Sequence, residues 1–340
     1  MHLGNGAITP ECGAVALAFA SLGVGAAFVG TRVLGIAPRR AYTAAALGSA
    51  VFAAQLFNIQ ILPFSSVHLI GGVLLAWVLS PSLGALTMAG ILTLQALLLG
   101  DGGLLALGAN IINMGLMPAA AVALVRRGLP ADAEATSAAS SSPASWTAAP
   151  WTLALTAFGC TVAAAALIVL EVSLGRSAAQ LEGLQYFAVR MLAWHALAGV
   201  VEAAATVAIV GLLARLAARD ATGLELSARG AGLVVAASLA IAVLSLPAFG
   251  LASAAPDSYE AALASAEHSG LAVGQIESAA KLAGPAFVVQ GCQDALTRAI
   301  PSSEGPLAVL ATVLAGLVAW GFAWTGLRTQ AIAEPVAGGS

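Results

Sequence analysis

Three nitrogens lie within the first two residues of this chain, Met1-His2. A free amine, the next backbone nitrogen and the Nδ1 of the second side chain can close fused five- and six-membered chelate rings around one ion. Four nitrogens in a plane suit Ni(II) or Cu(II), and neutral imidazole is a common ligand for both. The alternative is an exposed histidine with no partner. A fourth nitrogen is available at His68, in FNIQILPFSSVHLIGG (57–72), on the same membrane face as His2 in the arrangement below. An ionisable group at such a depth marks a functional position, unless water at the interface satisfies it.

Other polar residues interrupt apolar runs. GDGGLLALGANIINMG (100–115) turns at Asp101-Gly102-Gly103 and then places Asn110 and Asn113 three apart, on one helical face. Such amides either bond neighbouring helices or orient a ligand from behind. His195 and Glu202, seven apart in WHALAGVVEAA, share a face, and Glu171 lies in the preceding helix. They can form a proton relay, a metal gate or ordinary polar contacts between helices. Cys12, Cys160 and Cys292 are widely spaced and imply neither a disulfide nor a thiolate metal site.

The elements that position these groups are membrane helices. Apolar residues make up 60% of the chain and charged ones 9%, against roughly 25% charged in soluble domains. The apolar runs lack a polar face and approach the roughly 20 residues a spanning helix needs. Runs near 12–35, 41–61, 67–79, 82–99, 102–125, 151–174, 190–218, 231–251 and 305–327 predict an all-α polytopic membrane protein. The run 67–79 is too short to span and ends at a break, Ser80-Pro81. With alternating helices nine Arg residues fall on one side and four basic residues on the other, which places the N-terminus outside and the C-terminus in the cytoplasm of a bacterial-type inner membrane. No basic n-region precedes the first run, so no cleavable signal peptide is expected, and the large His2 disfavours removal of Met1.

Two polar stretches divide the chain. Residues 130–145 read as a cytoplasmic Ser/Ala/Pro linker, and 219–229 separate a seven-helix block, 1–218, from a two-helix block, 230–328, with an acidic external loop at 253–304.

MHLGNGAITP, VHLIGG and GDGGLLALGANIINMG, at these spacings, resemble the CbiM/NikM family, the metal-recognising S components of energy-coupling-factor (ECF) transporters for cobalt and nickel. The resemblance covers 1–218. It implies a seven-helix bundle with the N-terminal segment tucked inside, and metal ligation by the Met1 amine, by His2 through backbone and imidazole, and by His68. It also implies Ni²⁺ or Co²⁺ as cargo with no cofactor, and partners comprising a transmembrane coupling (T) subunit and cytoplasmic ATPases. Membrane lipid surrounds the chain and no nucleic acid is involved. The 230–328 block resembles a fused N component, with APDSYE (255–260) in place of its PDGLE stretch, an arrangement that favours nickel. The chain departs from the family in Gly4-Asn5-Gly6, where an acidic residue is usual, and in Val67, where glycine precedes the histidine. It contains no G-x-x-x-x-G-K-[ST] loop and so no ATPase of its own. Two rival readings use Glu171, His195 and Glu202 as the proton path of a secondary transporter, or His68, His195 and Glu202 as a catalytic zinc site.

Overall fold

The structure, a computed structural model, describes residues 2–36, 38–62, 65–128, 150–174, 181–220, 224–246, 249, 251–253, 255–267, 271 and 304–333. Met1, the 130–145 linker and most of 268–303 lie outside the described residues. Helix α1 (Pro10–Leu34) starts where Thr9 accepts a hydrogen bond from Cys12 N and Pro10 takes the first turn, the position where its missing N–H costs nothing. Helix α2 (Pro38–Leu56) follows, then a two-stranded antiparallel hairpin, β1 (Ile59–Leu62) and β2 (Ser65–Val67), paired Ile59 to Val67 and Gln60 to Ser66. The chain returns as the short α3 (Gly72–Leu79) and reverses into α4 (Pro81–Leu94), which continues through a π-helical turn, Gln95–Leu99. Helices α5 (Leu107–Ile111) and α6 (Met117–Gly128) form one rod around a second π turn, Ile112–Leu116. After them come α7 (Pro150–Ser173), α8 (Leu181–Asp220), α9 (Ala228–Leu244), α10 (Ser258–Glu267) and α11 (Glu304–Ala333).

The protein is a helical membrane protein, as expected, and the short hairpin is a local exception. The runs 41–61 and 67–79 both form helices, but shorter ones: α2 stops at Leu56, and α3 starts only at Gly72. A short apolar run such as Ile59–Leu62 has no period that distinguishes strand from buried helix. The expected 190–218 helix begins nine residues earlier, at Leu181, and the external loop contains a helix, α10. The break at Ser80 is present. Its backbone adopts φ 138°, a strained value for a residue with a Cβ, while its hydroxyl accepts from Leu83 N and starts α4.

Among the described residues six helical stretches are long and apolar enough to cross a membrane, including Pro10–Val33, Pro150–Ser173 and Glu182–Arg215. Their outward faces carry large apolar side chains, such as Phe19, Leu22, Trp151 and Val189. Buried polar residues inside the bundle include Gln55, Gln95, Asn110, His195 and Glu202. That inversion fits hydrocarbon as the surrounding medium. Small residues allow the helices to approach. A Cβ on Gly108 would stand 2.3 Å from Leu17 N in α1, and one on Gly316 in α11 would stand 2.3 Å from Ser49 Oγ in α2. Helix direction puts Arg32, Arg39 and Arg126 at one end of the bundle, and the hairpin, the start of α3 and the 100–106 loop at the other. Arg126 caps its end by donating to Trp77 O and stacking over that indole at 5.4 Å.

Gly108→Val drives a branched side chain into the α1 backbone, so overpacking is expected to destabilise the protein by roughly 1–3 kcal/mol or more. A thermal melt in detergent checks this, and an unchanged midpoint would mean that the α1–α5 crossing is looser than described.

Candidate metal centre

The N-terminal segment is held by backbone bonds before its side chains come into play. Leu3 N donates to Asn110 Oδ1 at 2.9 Å, and Asn110 Nδ2 donates back to Leu3 O at 3.2 Å. Gly103 N also reaches Leu3 O, at 2.7 Å. Asn5 Oδ1 accepts from Leu105 N at 3.3 Å. This contact explains the glycines after Asp101: Gly102 sits at φ +85°, and a Cβ on Gly103 would stand 2.3 Å from Asn5 N. Leu3, fully buried, anchors the segment in the core.

So held, His2 is buried with its Nδ1 2.9 Å from Asp101 Oδ1, while its Nε2 has no hydrogen-bond partner among the described residues. Burial raises the Asp101 carboxyl, but the His2 imidazole and the other basic groups nearby outweigh it and hold the carboxyl at about 2. Asp101 is therefore ionised at neutral pH. His2 stacks on His68, with ring centroids 5.4 Å apart and planes inclined by 13°. Residues 66 positions apart in sequence thus present imidazoles side by side, although Met1, the third expected ligand, lies outside the described residues.

His68 leaves the hairpin at the end of β2. Its Nδ1 lies 3.1 Å from Leu69 O, and its Nε2 lies 3.8 Å from Asp257 Oδ2. Burial lowers its pKa and so favours the neutral imidazole, the form that binds metal. The loop behind it is fixed by Glu202, whose two carboxylate oxygens accept from Ile70 N and Gly71 N, each at 2.8 Å. Gly71 begins α3 without a side-chain cap, and Glu202 satisfies the two amides that lead into the helix. Gln55 Nε2 donates to Ile70 O at 2.8 Å, and its own Oε1 accepts from Gln95 Nε2 at 2.9 Å. The Gln95 carbonyl in turn accepts from Asp101 N at 3.2 Å. A buried chain of amides therefore joins the loop carrying His68 to the loop carrying Asp101.

The remaining sequence-selected residues separate. Asn113 donates to Glu171 at 2.8 Å and touches neither histidine of the centre, so it does not share the role of Asn110. His195 Nδ1 pairs with Met191 O of its own helix at 2.8 Å, not with Glu202. Its ring lines a cavity of about 20 Å³ together with Ser66, His68, Ile70 and Asp257, room for about one water molecule. His195 and Glu202 are thus each bonded to a different partner, an arrangement of ordinary polar contacts. Among the described residues no three His, Cys, Asp or Glu side chains group tightly enough to hold a metal ion.

Several of these contacts were not anticipated. Asp101 reads as a turn residue, and Asp257 draws notice only within APDSYE. Gln55 and Gln95 carry the same signal as Asn110, an amide inside an apolar helix.

Asn110→Ala leaves the buried Leu3 N unpaired, while Leu3 O keeps Gly103 N, and is expected to cost about 1–3 kcal/mol. Hydrogen exchange at the Leu3 amide should accelerate, while Asn113→Ala leaves it unchanged. Equal exchange in the two variants would show that Asn110 does not anchor the segment.

The family described as "Cobalt uptake substrate-specific transmembrane region", CbiM, matches residues 2–219. A protein of Archaeoglobus fulgidus named as a fused nickel transport protein, NikMN, is 33% identical over 200 residues, 58% of this chain. The match spans 61% of that relative's length. One of Lactiplantibacillus plantarum named as a fused nickel transport protein, LarMN, is 41% identical over 81 residues, 24% of this chain and 25% of that one. A crystal structure described as that of a truncated transition metal transporter superposes with a TM-score of 0.51 at 28% identity, covering 64% of this chain and 99% of that one.

Proposed function

The chain belongs to the CbiM family of substrate-specific transmembrane proteins of cobalt uptake, and on that premise we propose that it is the metal-recognising membrane subunit of an ECF-type importer of Ni²⁺ or Co²⁺. The observation that carries the reading is the stacking of His2 on His68 at 5.4 Å, beneath an N-terminal segment tied down through Leu3. The ion is cargo. His2 binds it through its imidazole and its backbone nitrogen, His68 through its imidazole, and the amine of Met1 completes a four-nitrogen set. In the structure Asp101 faces His2 Nδ1 at 2.9 Å, so closing the chelate through that nitrogen requires the ring to exchange Asp101 for the ion. A planar four-nitrogen set and the nickel-named relatives both favour nickel over cobalt.

The chain works as a seven-helix module, 1–218, fused to an N-component-like module, 230–328. The N-terminus and the 253–304 loop face outside, and the 130–145 linker faces the cytoplasm. A T subunit and ATPases supply the energy. Glu171, His195 and Glu202 serve as structural contacts in this reading, because each is bonded to a separate partner, Asn113, Met191 and Ile70-Gly71. A proton path would need them linked.

His68→Ala removes one of four ligands, and Ni²⁺ affinity is expected to fall well beyond the roughly 10–100-fold that outer contacts contribute. Titration of purified protein with bound-metal analysis reads this. Stoichiometric Ni²⁺ at unchanged affinity would place the site elsewhere. The same ligand set requires a free Met1 amine, so an uncleaved N-terminal tag should abolish uptake in cells that also carry the T and ATPase subunits, whereas a tag after Ser340 should not. Wild-type uptake by the N-terminally tagged protein would remove the amine from the site.

A further inference from the structure

We propose that Asp257 of the C-terminal segment is an outer partner of the metal site, its Oδ2 supplying negative charge beside His68 when the ion is bound. The proposal rests on the ligand reading above and adds to it a residue from the other end of the chain.

The segment is built onto the hairpin that carries His68. Ser66 N donates to Pro256 O at 2.9 Å, and Ser66 Oγ donates to Ala255 O at 2.8 Å. Ser66 and Asp257 form a parallel bridge, and Ser253 N donates to Asn58 O at 2.8 Å. Tyr259 is buried and packs edge-on against Phe187 of α8 at 6.2 Å, which pins the start of α10. Residues 255–259 therefore have a fixed register against β2, and His68 lies two residues beyond Ser66.

The two oxygens of Asp257 face different groups. Oδ1 accepts from Tyr259 N and Glu260 N, both at 2.8 Å, and Glu260 Oε2 accepts from Asp257 N at 3.0 Å. This is a capping box, the reciprocal pairing that starts a helix. A cap needs an oxygen acceptor but no charge, since Asn and Ser cap as well as Asp does. Oδ2 lies outside the capping box and stands 3.8 Å from His68 Nε2, too far for a hydrogen bond but close enough for charge to act.

Nitrogen ligands do not neutralise a divalent ion. Amine and imidazoles are neutral, and a deprotonated backbone nitrogen cancels one charge of two. A net positive charge then remains in a site shielded from water, where uncompensated charge is costly. Asp101 offers compensation on the His2 side, but its side chain is 40% exposed. The Asp257 side chain is 13% exposed and faces a His68 side chain that is 7% exposed, so solvent screens its charge less.

The test uses the full chain with its native N-terminus, titrated with Ni²⁺ and with Co²⁺. Asp257→Asn and Asp257→Ser both keep a helix cap and remove the charge. Each is expected to weaken both ions by about 10–100-fold, the size of other outer contacts to metal ligands. The ligand-field spectrum of bound Ni²⁺ and the thermal midpoint should not move. Glu260→Gln, which alters the capping box and not the charge beside His68, should bind as wild type does. Wild-type affinity in Asp257→Asn and Asp257→Ser would reduce Asp257 to a helix cap and overturn the proposal. So would an altered spectrum, which would make Asp257 a direct ligand, or an equal loss in Glu260→Gln. His68→Ala in the same series separates the two readings, because full affinity there would refute the ligand set itself.

Discussion

Leu3 gives both its backbone groups to one side chain, Asn110, and that exchange makes a non-helical segment tolerable inside a bundle of apolar helices. Hydrocarbon offers no hydrogen bonds, so irregular backbone survives there only where protein groups satisfy it. The same solution recurs at the second loop. Glu202 takes the amides of Ile70 and Gly71, and Gln55 donates to Ile70 O. The polar residues buried in the helices thus serve the loops, and the loops carry the histidines.

These supports are not independent. Gln95 donates its side-chain amide to Gln55 and lends its carbonyl to Asp101 N, so the supports of His68 and of the residue facing His2 meet at one position. That position opens a π-helical turn, and its backbone carbonyl accepts from both Gly100 N and Asp101 N. Spacing between the imidazoles is therefore set inside the bundle, one layer below the histidines.

Much of this was legible from residue types. His2 and His68 stand out because ionisable groups are rare in such a composition, and Asn110 because an amide in an apolar run needs a partner. The break at Ser80-Pro81 and the shortness of the third run followed from chain chemistry. What escaped were facts of pairing. IQIL and SSV carry no alternation that marks a hairpin, and nothing local tells Asn110, which bonds Leu3, from Asn113, which bonds Glu171. His195 and Glu202 share a helical face as their spacing requires, yet seven residues of rise leave each to a different neighbour. Asp257 was invisible as a neighbour of His68 because 189 residues of sequence separate them.

Helix α8 runs forty residues, Leu181 to Asp220, a rod about 60 Å long and twice the thickness of the hydrocarbon layer. Glu202 sits near its middle and grips two consecutive amides of the loop that follows His68. Rod and loop are therefore a single mechanical part. The amides that follow His68 are thus tied by one carboxylate to the middle of a helix that reaches both ends of the bundle.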